Sequence, residues 1–192
     1  MTSLPLREAR RRESWRALQG AAIGLVRERG FATVTVDDIA AAAGVSRRTF
    51  FNHFPTKAAA LFDPDPEDAE RLQGLLDDAE GAPDVWAALR GVWLAYLAGH
   101  RHLVAVRRTL MDDPELLAYQ RNAYRHVETS IDRWMHQQLP GDAYLASLLA
   151  YTSGAVVGAA FAAWAPDDPV DLLVDQVERG FRLLSGAFVL RR

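Results

Sequence analysis

Arg47, Arg48, Thr49 and Asn52 fall within six consecutive positions, and the chemistry they can do together is recognition rather than bond breaking. A guanidinium can bond bidentately to guanine O6 and N7, a carboxamide can do the same to adenine, and a threonine hydroxyl donates or accepts. To reach base edges such groups need a rigid helix whose first turn enters the major groove. The surrounding stretch, TVDDIAAAAGVSRRTFFNHFPTK at 35 to 57, predicts one. Thr35 suits the N-cap of a first short helix, with Asp38 at the acidic position of a capping box. The alanine run favours helix, and Gly44 can take the left-handed backbone that ends it. Val45 suits the wedge between two helices and Ser46 the cap of the second, expected over Arg47 to His53. On spacing alone, a short amphipathic helix with solvated arginines is the competing reading.

Charge is divided unevenly along the chain. The net charge is −3, yet residues 1 to 58 hold ten Lys or Arg against five acids, a net of +5, and the remainder holds twelve against twenty, a net of −8. A phosphate-facing head and a separate acidic body would produce this split. Arg10, Arg11, Arg12 and Arg16 precede the helical pair; they are either a solvated helix start or an arm for phosphates and the minor groove.

Reactive constellations are missing from the sequence. With no cysteine, disulfides, thiol redox sensing and thiolate metal sites are excluded. His100 and His102 are two apart, which puts them on different helix faces, and no carboxylate completes a ligand set. No nucleophilic elbow, phosphate-cradling Gly loop or pair of catalytic carboxylates is recognisable. We therefore expect no metal, no cofactor and no catalytic residue.

Taken whole, GFATVTVDDIAAAAGVSRRTFFNHFPTKAAALF closely resembles the DNA-binding domain of TetR-family transcriptional regulators. Gly30 and Phe31 match the end of that family's first helix, Thr35 the opening of the second, Gly44 to Ser46 the turn, Phe54 the aromatic closing the recognition helix, and Lys57 the start of helix four. The resemblance covers roughly residues 10 to 62. It implies DNA contact by Thr35, Ser46, Arg47, Arg48, Thr49, Phe51, Asn52, His53 and Lys57, with Thr35, His53 and Lys57 on the backbone. Phe51 stands where the family usually carries a Tyr whose hydroxyl meets a phosphate, so that contact is lost here.

The elements that must carry these residues are all helical, because apolar residues recur at helical spacing and no strand alternation or hairpin turn is found. A first helix is predicted over 8 to 29, with Trp15, Leu18, Ala22, Leu25 and Val26 on one stripe. Helix four starts near Thr56 and is stopped by the DPDP at 63 to 66. The expected architecture is all-α: an N-terminal three-helix DNA-binding domain with a helix-turn-helix at 1–62 and a C-terminal helical ligand-binding and dimerisation domain at 63–192. The short fourth helix suggests that Pro64 and Pro66 help to transmit motion. Further helices are expected near 66 to 79, at 84 to 99, from Pro114 to about Gln138 without a break, at 142 to 164 and at 168 to 190, with a short apolar segment around Leu103 to Met111.

The penultimate helix, YLASLLAYTSGAVVGAAFAAW, is apolar almost all round and must bury more than one face. Gly154, Gly158 and Ala162 recur every four residues and let another helix approach. With Val177, Phe181 and Leu184 on the last helix they suit a four-helix homodimer interface, which is how TetR-like regulators dimerise. Membrane insertion is disfavoured by Thr152, Ser153 and acidic flanks, and with no apolar signal core at the N-terminus a soluble cytoplasmic protein is expected.

Trp86, Trp93, Tyr96, Tyr124, Trp134 and Phe161 are candidates to line an apolar effector pocket, with plain core the competing reading. The recognition helix and the general C-terminal pattern also look similar to actinobacterial regulators of mycofactocin-associated systems, which implies an acyl-type or other lipophilic effector. The expected partners are a double-stranded DNA operator, a small-molecule effector and a second copy of the chain. The rival from another class is a helical carrier or enzyme whose helix-turn-helix no longer binds DNA.

Overall fold

The computed structural model describes residues 4–101, 104, 114–165 and 167–186. Among these the chain forms ten helices and no strand: α1 Leu4–Arg29, α2 Val36–Ala42, α3 Arg47–His53, α4 Lys57–Phe62, α5 Asp68–Asp78, α6 Val85–Gly99, α7 Pro114–Ala123, α8 Arg125–Gln138, α9 Ala143–Ala163 and α10 Val170–Ser185. The all-helical expectation holds. Apart from Val104, which is buried, the apolar segment predicted around Leu103 to Met111 lies outside the described residues, as do His102 and the end of the last helix.

Two compact units form. The head is α1 to α4 together with α7; the body is α5, α6, α8, α9 and α10. In the head, the predicted stripe of α1 buries Trp15, Leu18, Ala22 and Val26 with Val34, Ile39, Phe50, Phe54, Leu61 and Phe62. Trp15 and Phe54 set their rings 5.2 Å apart. Leu116 of α7 is buried in the same cluster, and the Tyr119 hydroxyl donates to the Asp63 carboxylate at 2.8 Å. Burial, then this hydrogen bond, pushes the Tyr119 phenol up to about 12.

The unbroken helix expected from Pro114 to Gln138 is two helices. Tyr124 sits between them with φ −98 and ψ 8, and the Val127 N–H donates back to its carbonyl at 3.0 Å. The apolar pattern runs on through the break, but Leu116 is buried in the head whereas Val127, Ile131 and Trp134 are buried in the body. The break thus falls between the segment buried in the head and the segment buried in the body.

In the body, α9 packs on α6, α8 and α10, while α5 packs on α6 and α8. Trp86, Leu89, Trp93, Ile131, Trp134, Val157, Trp164, Val177 and Phe181 make its core. Among the described helices α9 is the one long and apolar enough by composition to cross a membrane. Its neighbours account for that character, since Leu149, Ser153, Val156, Val157 and Ala160 are buried within the bundle. At Gly180 α10 lies close against α9: an added Cβ there would lie 2.6 Å from Val156 Cγ1.

Candidate nucleic-acid interface and effector domain

Local chemistry builds the reading helix. The Thr35 hydroxyl accepts from the Asp38 N–H at 3.2 Å, and Asp38 Oδ2 in turn accepts from the Thr35 N–H at 2.8 Å and its hydroxyl at 2.6 Å. This is the capping box read from the sequence, worth about 1 kcal/mol at a helix start. The Thr35 side chain and then its backbone N–H hold the Asp38 carboxyl below its ordinary range. Gly44 takes φ 68, and the Val45 N–H donates to the Ala40 carbonyl at 2.9 Å, closing the turn into α3. There Ser46 Oγ accepts from the Thr49 N–H at 3.1 Å and meets the Thr49 hydroxyl at 2.8 Å.

Phe50 and Phe54 anchor α3 in the core, which leaves Arg47, Arg48, Phe51 and Asn52 exposed on its outer side. Arg48 has no ion-pair partner among the described residues. Arg47 Nη1, by contrast, donates to Asp37 Oδ2 at 2.7 Å, and its guanidinium carbon lies 5.4 Å from the Phe51 ring centre. His53 is half-buried; burial and then the nearby Arg11 lower its pKa.

Lys57 is tied inward. Its ammonium donates to the Phe31 carbonyl and, at 2.7 Å, to the Val34 carbonyl, and it lies 4.0 Å from the Phe31 ring centre. Burial lowers its pKa. Two of its three N–H groups thus satisfy carbonyls that follow α1.

The body holds a polar centre that the sequence reading missed. Asp68, fully buried at 1% exposure, accepts from the Tyr96 hydroxyl at 2.7 Å, His100 Nε2 at 2.8 Å and His126 Nε2 at 2.9 Å. Burial by itself would raise its pKa, but these three donors outweigh it and hold the carboxyl far below its usual range. His100 Nδ1 faces the Tyr96 carbonyl at 2.7 Å. Both ring nitrogens of His100 thus lie within hydrogen-bond distance of an oxygen. Among the described residues no three His, Asp or Glu side chains are arranged to hold a metal ion.

Comparison with known proteins bears on both units. The family model described as "Bacterial regulatory proteins, tetR family" matches residues 20–63. The putative mycofactocin biosynthesis transcriptional regulator MftR of Mycobacterium tuberculosis is 31% identical, with 81% of each chain covered. The chain belongs to the TetR family. Solved structures carry the same fold over nearly its whole length. FadR of Thermus thermophilus, a TetR-family repressor solved with lauroyl-CoA, is 24% identical, with 93% of this chain and 96% of that one covered at a TM-score of 0.56. FadR of Bacillus halodurans is 19% identical, with 93% and 97% covered and a TM-score of 0.63. FadR of Bacillus subtilis, in complex with stearoyl-CoA, is 19% identical, with 90% and 98% covered and a TM-score of 0.60.

This TetR-family protein is therefore a transcriptional regulator with a helix-turn-helix DNA-binding domain. Its predicted effector residues lie in or against the core of the body. Trp86 donates through Nε1 to the Phe181 carbonyl at 3.0 Å, Trp93 to Ser153 Oγ at 3.0 Å, and Tyr96 to Asp68. Trp134 is buried, while Tyr124 and Phe161 are partly buried at the core's margin. Trp93 lines a cavity of about 280 Å³ with Glu128, Ile131, Ala150, Tyr151, Gly154 and Ala155. Two arginines of the body pair with acids of α10: Arg90 with Glu178 at 3.8 Å, and Arg101 with Asp171.

The predicted dimer residues of the TetR-family body also divide. Val177 and Phe181 are wholly buried in its own core. Gly154, Gly158 and Ala162 lie toward the open side of α9, where an added Cβ on either glycine would meet nothing within 4 Å. Leu184 lines a groove of about 500 Å³ between α9 and α10 with Ala155, Ala159, Gln176, Arg179 and Leu183. Tyr144, Tyr151 and Leu183 are the most exposed of the large apolar side chains described on these helices, at 79%, 67% and 70%. None of the three was singled out in the sequence, because the helical repeat alone leaves the rotation of each helix open.

Proposed function

We propose that this regulator is a repressor that binds a roughly palindromic operator as a homodimer and is released by a small lipophilic effector of the acyl-coenzyme A class. The observation that carries the reading is the outer side of α3, where Arg47, Arg48 and Asn52 stand exposed on a helix anchored by Phe50 and Phe54. DNA reading is assigned to residues 1–62, with base contacts from Arg47, Arg48, Thr49 and Asn52 and backbone contacts from Thr35, Ser46, His53 and the third N–H of Lys57. Phe51 faces the DNA without a hydroxyl. Effector binding and dimerisation are assigned to 63–192, with Gly154, Gly158, Ala162 and Leu184 at the interface alongside Tyr151 and Leu183. The effector class rests on the likeness to MftR and to the two FadR proteins solved with acyl-coenzyme A. The response would reach the head through α7, which already packs on α4, and through the Pro64–Pro66 link. Such a regulator works where the DNA is, in the cytoplasm.

The experiment is selection of duplexes from a random pool by the full-length protein, then a salt series on the winner and titration with lauroyl-coenzyme A against free coenzyme A. An enriched inverted repeat, affinity falling steeply with salt and release by the acyl form alone are expected. Arg48→Ala should weaken operator binding by about 1–3 kcal/mol with the melting temperature unchanged. If no sequence is enriched and R48A alters no activity, the carrier reading replaces this one.

A further inference from the structure

The two acids in the first turn of α2 have different partners. Asp38 is taken up by Thr35 in the capping box, whereas Asp37 reaches across to α3 and accepts from Arg47 Nη1 at 2.7 Å. The same guanidinium lies over the ring of Phe51, 5.4 Å from its centre, one turn along the helix. Phe51 in turn stands edge-on to Phe50, with centroids 5.4 Å apart and planes at 84°, and Phe50 is wholly buried. The core thus orients Phe51, and Phe51 with Asp37 orients Arg47.

Both members of the ion pair are well exposed, at 61% and 64%, so it adds little to the stability of the head. Its consequence lies in what the guanidinium can bind. A phosphate approaching Arg47 brings a second negative charge up to the Asp37 carboxylate. Guanine O6 and N7 are acceptors without net charge, and the unused N–H edge can take them without that repulsion. We propose that Asp37 is a specificity-determining positioning residue, which with Phe51 withholds Arg47 from phosphates and presents it to base edges. The assignment rests on the operator-reading role of α3.

The test uses full-length wild type, Asp37→Asn, Arg47→Ala and the double variant, each titrated with the operator selected by wild type and with a scrambled duplex over a salt series. D37N is expected to raise affinity for the scrambled duplex about five- to tenfold near 0.1 M salt and to steepen the salt slope by about one per head. The operator-to-scrambled ratio falls, and D37N selects a sequence with one less specified position per half-site. In the Arg47→Ala background, D37N should change neither affinity by more than about twofold. Equal effects of D37N with and without Arg47 would mean a general charge effect and overturn the proposal, as would an unchanged ratio and slope. If wild type enriches no operator, the DNA-reading assignment itself fails and takes this one with it. The melting temperature of D37N should match wild type, since Asp38 still caps α2.

Discussion

Asp68 Oδ1 and His100 Nε2 meet at 2.8 Å, 32 residues apart in sequence and buried where α5, the end of α6 and the start of α8 come together. His126, Tyr96 and, at 3.3 Å, the Arg71 guanidinium also donate to the carboxylate. Three helices thus share one buried carboxylate, and removing its charge takes the acceptor away from every donor gathered on it.

Asp68→Asn should therefore destabilise the body by about 3–5 kcal/mol. The pH dependence follows from the direction of the shift. A carboxyl held below its unfolded value of about 3.9 contributes stability that is fully present above that value and is lost as pH falls through the depressed one. Urea unfolding of wild type and D68N should differ most near neutral pH and converge as pH drops below about 4. A constant gap over that range would rule out the buried anion as the source.

Lys57 tethers the segment after α1 through the Phe31 and Val34 carbonyls. Lys57→Met keeps the stem and removes the donors, so two partly buried carbonyls lose their partner at a cost of about 1–3 kcal/mol. Thermal melting should show that loss together with weaker operator binding. Weaker binding with unchanged melting would mean that the ammonium serves DNA alone.

Leu183 and Phe181 stand two positions apart on α10 with opposite environments, 70% exposed and wholly buried. Leu183→Asp should leave the helical circular dichroism intact while turning a sedimenting dimer into a monomer, with operator affinity falling because the two heads are no longer linked. Phe181→Asp should fail to fold, since it places an unpaired charge in the core. A dimeric L183D would place the interface elsewhere.

Much of the head was legible because its signals act over short range. Thr35 and Asp38, Gly44, and Ser46 with Thr49 each act within a few residues, so their geometry follows from residue type and spacing. The stop of α4 before Pro64 was legible for the same reason. Asp68 gave no such signal: in an acidic helix it looked like a solvated charge, and its partners His100 and His126 lie 32 and 58 positions away. The break at Tyr124 was hidden because apolar spacing specifies a buried face without naming the core that buries it.

By itself the sequence determined the helical class, the capped helix-turn-helix and the basic side chains of α3, since local hydrogen bonding and the 3.6-residue repeat suffice for those. Tertiary structure decided which faces turn inward. Packing put Val177 and Phe181 in the core and left Tyr151 and Leu183 outside, set Lys57 on two carbonyls, and paired Arg47 with Asp37 while Arg48 stayed free. Each of these outcomes depends on how far one helix is rotated against another, and that angle is a property of the packed core rather than of any single segment.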